Sequence, residues 1–474
     1  MSATTIESSS VSAVFENGES TMVPIRQTVD EILDIFGQQP MLSNAYTQVC
    51  LCYRMHQEVS QSFIMDTLAK GLDTLTQNFP WVAGQVVNEA GPEGSSGMMK
   101  IRAFKGNRLL KIRDLRENSS APTMQSLRSA GFPLAMLDES LVAPRGTFTL
   151  PDSPEASQEA PVFSIQANDI AGGLVITFVA NHGAMDMSAM CAVMALLDKA
   201  CRGEAFTASE LQVGNMRRTN LIPLLQGETY KENPALVHQI FKSPPVMPQD
   251  CKIGYFKFPS AKLLELKTLA TQPGDGQHIS TDDALSAFVW QATMRARLPR
   301  LDPAKVVTLA RAVDVRSVMG IPKEYPGLMI NTAFKSYTLR NLLEEPLNSL
   351  APKLRSQLSP ETSTLAYDTK CLATLFDSMR DKRFIAFTAG LDPSVDVLLS
   401  SWAKSNGYEL DFGLGLGKPE FVGRTVCSPV LEGLLHVMPR DAKGDIAISI
   451  SLRGEDMSRL LTDDEMAKYA SYIG

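Results

Sequence analysis

The sequence predicts a two-domain α/β protein, each half a mixed sheet layered with helices, and three observations carry that expectation. The chain has 474 residues and is 44% hydrophobic, more than one core usually serves, so two domains of roughly 200 residues each are expected. In both halves, apolar runs bounded by turn residues alternate with stretches whose apolar residues recur at helical spacing, the pattern of sheet-plus-helix layers. Between the halves, "LIPLLQGETYKENPALVHQIFKSPPVMPQD" (221–250) breaks regular patterning with prolines and mixed polarity, which marks a crossover.

The elements follow in order. Residues 1–22 are rich in Ser, Thr and Glu without an apolar period and are expected to form a mobile arm outside the fold. Residues 23–220 are then the N-terminal domain and 251–474 the C-terminal one. "AYTQVCLCYRM" (45–55) has strand character. "SFIMDTLAKGLDTLTQNFP" places Phe63, Leu68, Leu72 and Leu75 at helical spacing and ends at Phe79-Pro80. "WVAGQVVNE" (81–89) and "GGLVITFVA" (172–180) read as strands, and the polar, Pro-containing stretch from about 114 to 161 between them is expected to cover the surface. "MSAMCAVMALLDKACRG" sets Met190, Val193, Met194, Leu197 and Cys201 on one helical face, with Gly203 closing it. In the second half "IGYFKFP" is a strand, "SAKLLELKTLA" and "TDDALSAFVWQATMRAR" are helices, and "VVTLARAVDVR" and "GDIAISISL" are strands.

Composition excludes several functions. A net charge of −7, with acidic and basic residues well mixed, supplies no basic stripe, so no nucleic-acid partner is expected. The seven cysteines (Cys50, Cys52, Cys191, Cys201, Cys251, Cys371, Cys427) are scattered, with no CxxC pair and no Cys-His spacing suited to zinc; they read as reduced thiols, with no metal. The N-terminus shows no basic segment followed by an apolar one, and no run of about 18 apolar residues occurs. A soluble cytoplasmic protein without membrane association is expected.

Chemistry is suggested by "ITFVANHGAMDMSAM" (176–190), an apolar strand that stops at His182, with Asp186 four places on and a helix beginning there. The spacing alone is cheap, but Gly183 and Ala184 keep the turn free of bulk where a substrate could approach. A neutral imidazole near its ordinary pKa of about 6.5 can take a proton from an alcohol as that alcohol attacks a carbonyl. Asp186 could orient the ring, or cap the helix and pair with an arginine. The absence of HExxH disfavours a metal site, and the absence of GxSxG disfavours a serine nucleophile. "LSSWAKSNGYELDFGLGLGKPE" (399–420) carries Asp411, Gly413, Gly415 and Gly417, which require a special loop, although its glycine order is not that of a dinucleotide cradle. His56, His238, His278 and His436 lack motif context and read as structural or solvent-facing. "DEILDIFG" (30–37) shows no chemistry.

"HGAMD" followed about 225 residues later by "DFGLG" resembles the paired HxxxD and DFGWG motifs of the BAHD acyltransferases, which move acyl groups from coenzyme A to alcohols and amines. Leu414 stands where plant members carry Trp. Within that superfamily "FPWVAGQV", "HGAMDM", "STDDALSAF", "RAVDVRSVMG", "YPGL", "LSSWAK" and "DFGLGLGKPE" resemble, in that order, the fungal trichothecene 3-O-acetyltransferases, from about residue 30 to the C-terminus. The resemblance implies two similar chloramphenicol-acetyltransferase-like α/β sandwich domains with the active site in a channel at their interface. It implies His182 as general base and Asp186 turned away to pair with an arginine, Arg316 first and Arg311 second. Asp411, Gly413 and Gly415 would form a remote supporting loop. Coenzyme A contacts would fall to Lys267, Ser280, Thr281, Ser401 and Trp402, although Ser280 also suits a capping box with Asp283.

The implied reaction is direct transfer of acetyl from acetyl-CoA, without a metal, to a hydroxyl of a terpenoid, meroterpenoid or alkaloid secondary metabolite, trichothecene-like among them. Asn181 and Trp402 are the candidate oxyanion donors. The rivals are an N-acyltransferase, a user of longer acyl-CoA, and a non-catalytic acyl-CoA-binding protein. Condensation domains share the fold but carry a second histidine where Asn181 stands. The partners expected are the small-molecule alcohol and the acyl-CoA, and the enzyme is expected to be a monomer.

Overall fold

The computed structural model describes residues 29–56, 58–104, 109–149, 160–241, 250–272 and 278–474. The arm expected at residues 1–22 lies outside them, as do residues 242–249 of the crossover. Three sheets form the frame. A five-stranded sheet runs Phe421–Gly423, Tyr46–Arg54, Gly173–Asn181, Phe163–Ile170, Leu110–Asp114. A seven-stranded sheet runs Ile330–Thr338, Val306–Asp314, Val397–Ser401, Leu434–Val437, Ile446–Arg453, Cys251–Phe258, Ser471–Tyr472. A small sheet pairs Asp30–Ile32 and Gly84–Glu89 on either side of Met98–Ala103.

Each large sheet buries one face under helices. Gln61–Asn78 and Met187–Cys201 pack together and join the five-stranded sheet in one core. The first helix turns Ile64, Leu68, Leu72 and Leu75 inward, whereas Phe63, expected on that face, is 50% exposed. Phe63 donates its backbone N–H to the Ser60 cap, and the stripe of i, i+4 and i+3 steps runs through its neighbour instead. Behind the seven-stranded sheet lie Ser260–Ala270, Thr281–Arg297 and Leu347–Ser356, in a second core that takes Leu309, Leu399, Leu435, Val437, Ile448 and Ile450 from the strands.

Alternation along the strands then fixes what the other face of that sheet carries. Ser400 pairs with His436, His436 with Ser449 and Ser449 with Tyr255, so these four share the face opposite the helices. Tyr255, Trp402 and Met438 belong to the core of the first half, so this face meets it.

Three expectations need correction. Residues 81–83 form a 3₁₀ turn, Pro80–Ala83, with the strand beginning at Gly84; Pro80 starts the turn, and Trp81 Nε1 donates to the Gly214 carbonyl at 2.8 Å. The stretch from 114 is not merely a surface cover. Short helices Met124–Ala130 and Glu139–Val142 bury Leu127 and Val142, with Leu134 and Leu137 between them. Helices that brief leave no periodic signature. The loop 402–420 also departs from the half that encodes it. Phe412, Leu414 and Leu416 enter the core of the first half, and Phe421–Gly423 pairs antiparallel with Tyr46–Arg54, which covers an edge that would otherwise template association. The chain boundary at 221–250 therefore does not divide the packing.

Candidate active site

Strand Gly173–Asn181 delivers His182 into a tight turn held from both sides. Asn181 Oδ1 accepts from Gly183 N (3.0 Å), its Nδ2 donates to the Ser43 carbonyl (2.8 Å), and His182 N donates to the Ala45 carbonyl (2.8 Å). Gly37 lies against the turn so closely that a Cβ there would sit 2.4 Å from the Gly183 carbonyl oxygen. His182 Nδ1 lies 3.3 Å from the Met185 carbonyl oxygen. A carbonyl only accepts, so Nδ1 carries the proton and the Nε2 lone pair is free. The ring is deep in the protein yet partly accessible. Burial pulls its pKa below the ordinary value, against the opposing charge of Asp186. The expectation of an unperturbed imidazole is thereby corrected: desolvation outweighs the carboxylate because the two make no hydrogen bond.

Asp186 does both things its position allowed. It caps helix Met187–Cys201, its Oδ1 accepting from Ala189 N at 2.8 Å. It also pairs with Arg316 at 3.0 Å and accepts from Met329 N at 2.7 Å, with 2% of its surface exposed. Arg316 in turn donates to the Tyr325 and Gly327 carbonyls (3.0 and 2.7 Å). A second buried pair lies alongside. Asp34, in "DEILDIFG", accepts from the Tyr325 hydroxyl, from Leu328 N (3.1 Å) and from Arg218 (3.3 Å). Arg218 also donates to the Ala184 carbonyl (2.9 Å) inside the His182 turn and stacks over Trp81. An acid flanked by Leu33, Ile35 and Phe36 was the available signal.

Four of the positions expected to contact coenzyme A lie together around one helix N-terminus. Ser280 caps helix Thr281–Arg297 in a capping box with Asp283. Asp282 in the first turn accepts from Ser401 Oγ at 2.5 Å and from Arg311 at 3.2 Å. Ser280, Thr281 and Ser401 therefore meet at one helix N-terminus, beside Trp402. Arg311, the second candidate partner for Asp186, pairs with Asp282 and Asp283 instead, because its strand neighbour Leu309 shares the face turned to the helices. Lys267 sits in the last turn of Ser260–Ala270, and no bond ties its ammonium to this group among the described residues. Asn181 is removed as an oxyanion donor: its side chain is fully buried and holds the turn. Trp402 Nε1 makes no hydrogen bond among the described residues.

The DFGLG loop lies at the other end of the His182 helix. Asp198 accepts from Asp411 N and Phe412 N (3.1 and 2.6 Å), and Asp411 accepts from Gly413 N (2.9 Å). Phe412 takes φ 51°, Gly413 63° and Gly415 72°, left-handed values that favour glycine. Phe412 is held in its strained conformation by full burial and by stacking on Phe178 at 5.3 Å. The loop thus grips the C-terminal end of the helix that Asp186 caps.

Comparison with known proteins bears on this arrangement. The trichothecene 3-O-acetyltransferase-like N-terminal domain matches residues 45–201, and the transferase family matches residues 147–467. The chain is 45% identical to "Trichothecene 3-O-acetyltransferase TRI101" of Fusarium sporotrichioides, over 94% of this chain and 98% of that one. It belongs to this transferase family. The acyltransferase is also 44% identical to "O-acetyltransferase dmxR13" of Cryptosporiopsis sp. (strain 8999), over 94% of its own length and 98% of the relative. The crystal structure of F. sporotrichioides TRI101 complexed with coenzyme A and T-2 superposes with TM-score 0.87 at 44% identity, covering 94% of this chain and 100% of that one. The protein is accordingly an acyl-CoA-dependent acyltransferase with the two-domain BAHD fold.

His436, expected to be structural or solvent-facing, lies deep beside Trp402, with ring centroids 5.3 Å apart and a tilt of 67°. Among the described residues, no helix is long and apolar enough to cross a membrane, and no cluster of three His, Cys, Asp or Glu side chains is placed to hold a metal ion.

Proposed function

We propose that the protein acetylates a hydroxyl of a fungal secondary metabolite, a terpenoid, meroterpenoid or alkaloid alcohol, with acetyl-CoA as donor. The observation that carries this is the tautomer of His182: Nδ1–H is tied to the Met185 carbonyl and Nε2 is left to receive a proton. The acceptor oxygen attacks the thioester carbonyl while Nε2 takes its proton. The tetrahedral oxyanion then collapses, and coenzyme A leaves as a thiolate that recovers the proton from the imidazolium. No acyl-enzyme is needed. Cys191, on the His182 helix, is pushed up to about 12 by burial, far from a reactive thiolate.

In this reading Ser280, Thr281, Ser401 and Trp402 receive the coenzyme, and Lys267 meets its phosphates as a point charge. Asp186, Arg316, Asp411, Gly413 and Gly415 hold the fold around the base. A single chain supplies both the base and the expected coenzyme contacts, which suits a monomer, and free thiols such as those of Cys50, Cys52 and Cys371 suit the reducing cytoplasm. The test is release of coenzyme A thiol from acetyl-CoA with a panel of hydroxylated sesquiterpenes, meroterpenoids and indole alkaloids. Acceptor-dependent release should fall by at least about 10²-fold in His182→Ala. Release that survives the substitution removes His182 as the base.

A further inference from the structure

Two buried ion pairs grip the turn that carries His182, and the reaction above gives a role to only one of them. Asp186 pairs with Arg316, whereas Asp34 pairs with an arginine that reaches Ala184. A single nitrogen, Arg218 Nη1, donates both to Asp34 Oδ2 (3.3 Å) and to the Ala184 carbonyl (2.9 Å). The Asp34 side chain is fully buried and that of Arg218 nearly so; Glu31, partly exposed, is a looser second carboxylate 3.6 Å from Arg218 Nε. Both pairs close on one segment, residues 325–329. Its Tyr325 hydroxyl and Leu328 N–H donate to Asp34, its Tyr325 and Gly327 carbonyls accept from Arg316, and Met329 N donates to Asp186. A Cβ at Gly327 would lie 2.5 Å from Asp34 Oδ2, so the carboxylate needs glycine there.

The peptide that joins Ala184 to Met185 is fixed at both ends. Its N–H donates to the Asn181 carbonyl at 3.0 Å, and its carbonyl accepts from Arg218. The next carbonyl along, that of Met185, is the one 3.3 Å from His182 Nδ1. Its direction is therefore set by the peptide that Arg218 holds on one side and by Asp186, the helix cap, on the other. Ala184 and Met185 are fully buried, and among the described residues the Ala184 carbonyl accepts no other hydrogen bond. A buried carbonyl without a donor is costly, and turning the peptide toward another donor is the way to recover part of that cost. Such a turn takes the Met185 carbonyl off Nδ1. An untied neutral ring is then free to carry its proton on Nε2, the nitrogen that must be empty to act as the base.

We propose that Asp34 and Arg218 are positioning residues for the base: through the Ala184 carbonyl they hold the Met185 carbonyl where it keeps the proton on His182 Nδ1 and leaves Nε2 open to the acceptor. The inference rests on the acyl-transfer reading above. Arg218 acts through the backbone of the turn, and Asp34 acts through Arg218 by anchoring its guanidinium. The two ion pairs divide the turn between them. Arg316 secures its exit into the helix, and Arg218 secures the peptide before that exit.

Two measurements on the full chain test this. The first is ¹⁵N NMR of the histidine side chains at neutral pH, with the His182 signals assigned by their loss in His182→Ala. The wild type should show the Nδ1–H tautomer, and Arg218→Met should move the population toward Nε2–H. A wild type in the Nε2–H form overturns this proposal and the base assignment together; a wild type in the Nδ1–H form that Arg218→Met leaves unchanged overturns this proposal alone. The second is turnover. Arg218→Met should lose about 10- to 10²-fold in kcat while the KM for acetyl-CoA stays within about threefold, as a misplaced base requires. Arg218→Lys, whose single ammonium can donate to both Asp34 and Ala184 as Nη1 does, should recover about threefold or more of that loss. Adding Asp34→Asn to Arg218→Met should cost less than about threefold further, because Asp34 acts through Arg218. A folded Met variant within about threefold of wild-type kcat, or equal losses for Met and Lys, overturns the proposal. If Arg218→Met does not fold, Asp34→Asn decides: it should show the same tautomer shift, and an unshifted tautomer overturns the proposal. If the wild type acetylates no alcohol in the panel, the acceptor reading fails by itself, and the tautomer comparison still decides this one.

Discussion

At His182 two effects oppose each other, burial disfavouring the imidazolium and Asp186 favouring it, and burial prevails. The base therefore remains neutral as pH falls below about 6.5, the ordinary imidazole value. The acid limb of kcat/KM should lie below that pH, and a midpoint above it would contradict the burial argument. The stability sign follows from the same shift. A lowered folded pKa means that the unfolded chain binds the proton first. His182 and His436, both lowered, thus favour the folded state fully above about pH 6.5 and cease to do so as pH falls through their folded values. Urea midpoints at pH 7 and pH 5.5 read this directly, and the difference should shrink in His436→Gln. Arg316 is a different case, since removing it leaves Asp186 buried with no cation. Arg316→Met should cost about 3–5 kcal/mol in urea unfolding, and a loss below about 1 kcal/mol would show that the Asp186 carboxylate finds another partner or a proton.

The helix Met187–Cys201 is the element on which both motifs converge. Asp186 fixes its start, and Asp198 ties its end to Asp411 and Phe412. Gly413→Ala meets two penalties, a left-handed φ of 63° and a Cβ 3.2 Å from Arg202 Cγ. It should lower stability by about 1–2 kcal/mol, measured by urea unfolding, and slow the reaction only as far as the helix shifts. Much of this element was legible: its apolar face and its start at Asp186 showed in residue order, and the family resemblance implied the arginine in "VDVRS". The links to Asp34 and His436 were not. Asp34 meets Tyr325 and Leu328, 291 and 294 residues away, and neither a lone acid nor a lone histidine announces a partner. Phe63 was misplaced for a local reason, since a cap residue fixes where the first turn begins and periodicity alone does not. The brief helices around Leu127 and Val142 were hidden because seven and four residues hold too few turns to show a period.

Across the whole molecule, the segment that leaves Ser401, crosses to pair with Tyr46–Arg54 and returns to Leu434–Val437 joins two cores that sequence distance would separate. The halves should consequently unfold together, giving one calorimetric transition and coincident denaturation curves by fluorescence and circular dichroism. Two resolved transitions would show that the crossing segment detaches before either core melts. The same traverse sets a rule for recombining this enzyme with its relatives. A hybrid cut once near residue 240 would give the first sheet a foreign edge strand and would fasten the end of the His182 helix to a loop shaped against another partner. A compatible exchange takes residues 402–427 together with the first half, so the interchangeable unit is discontinuous in the gene although it is continuous in space.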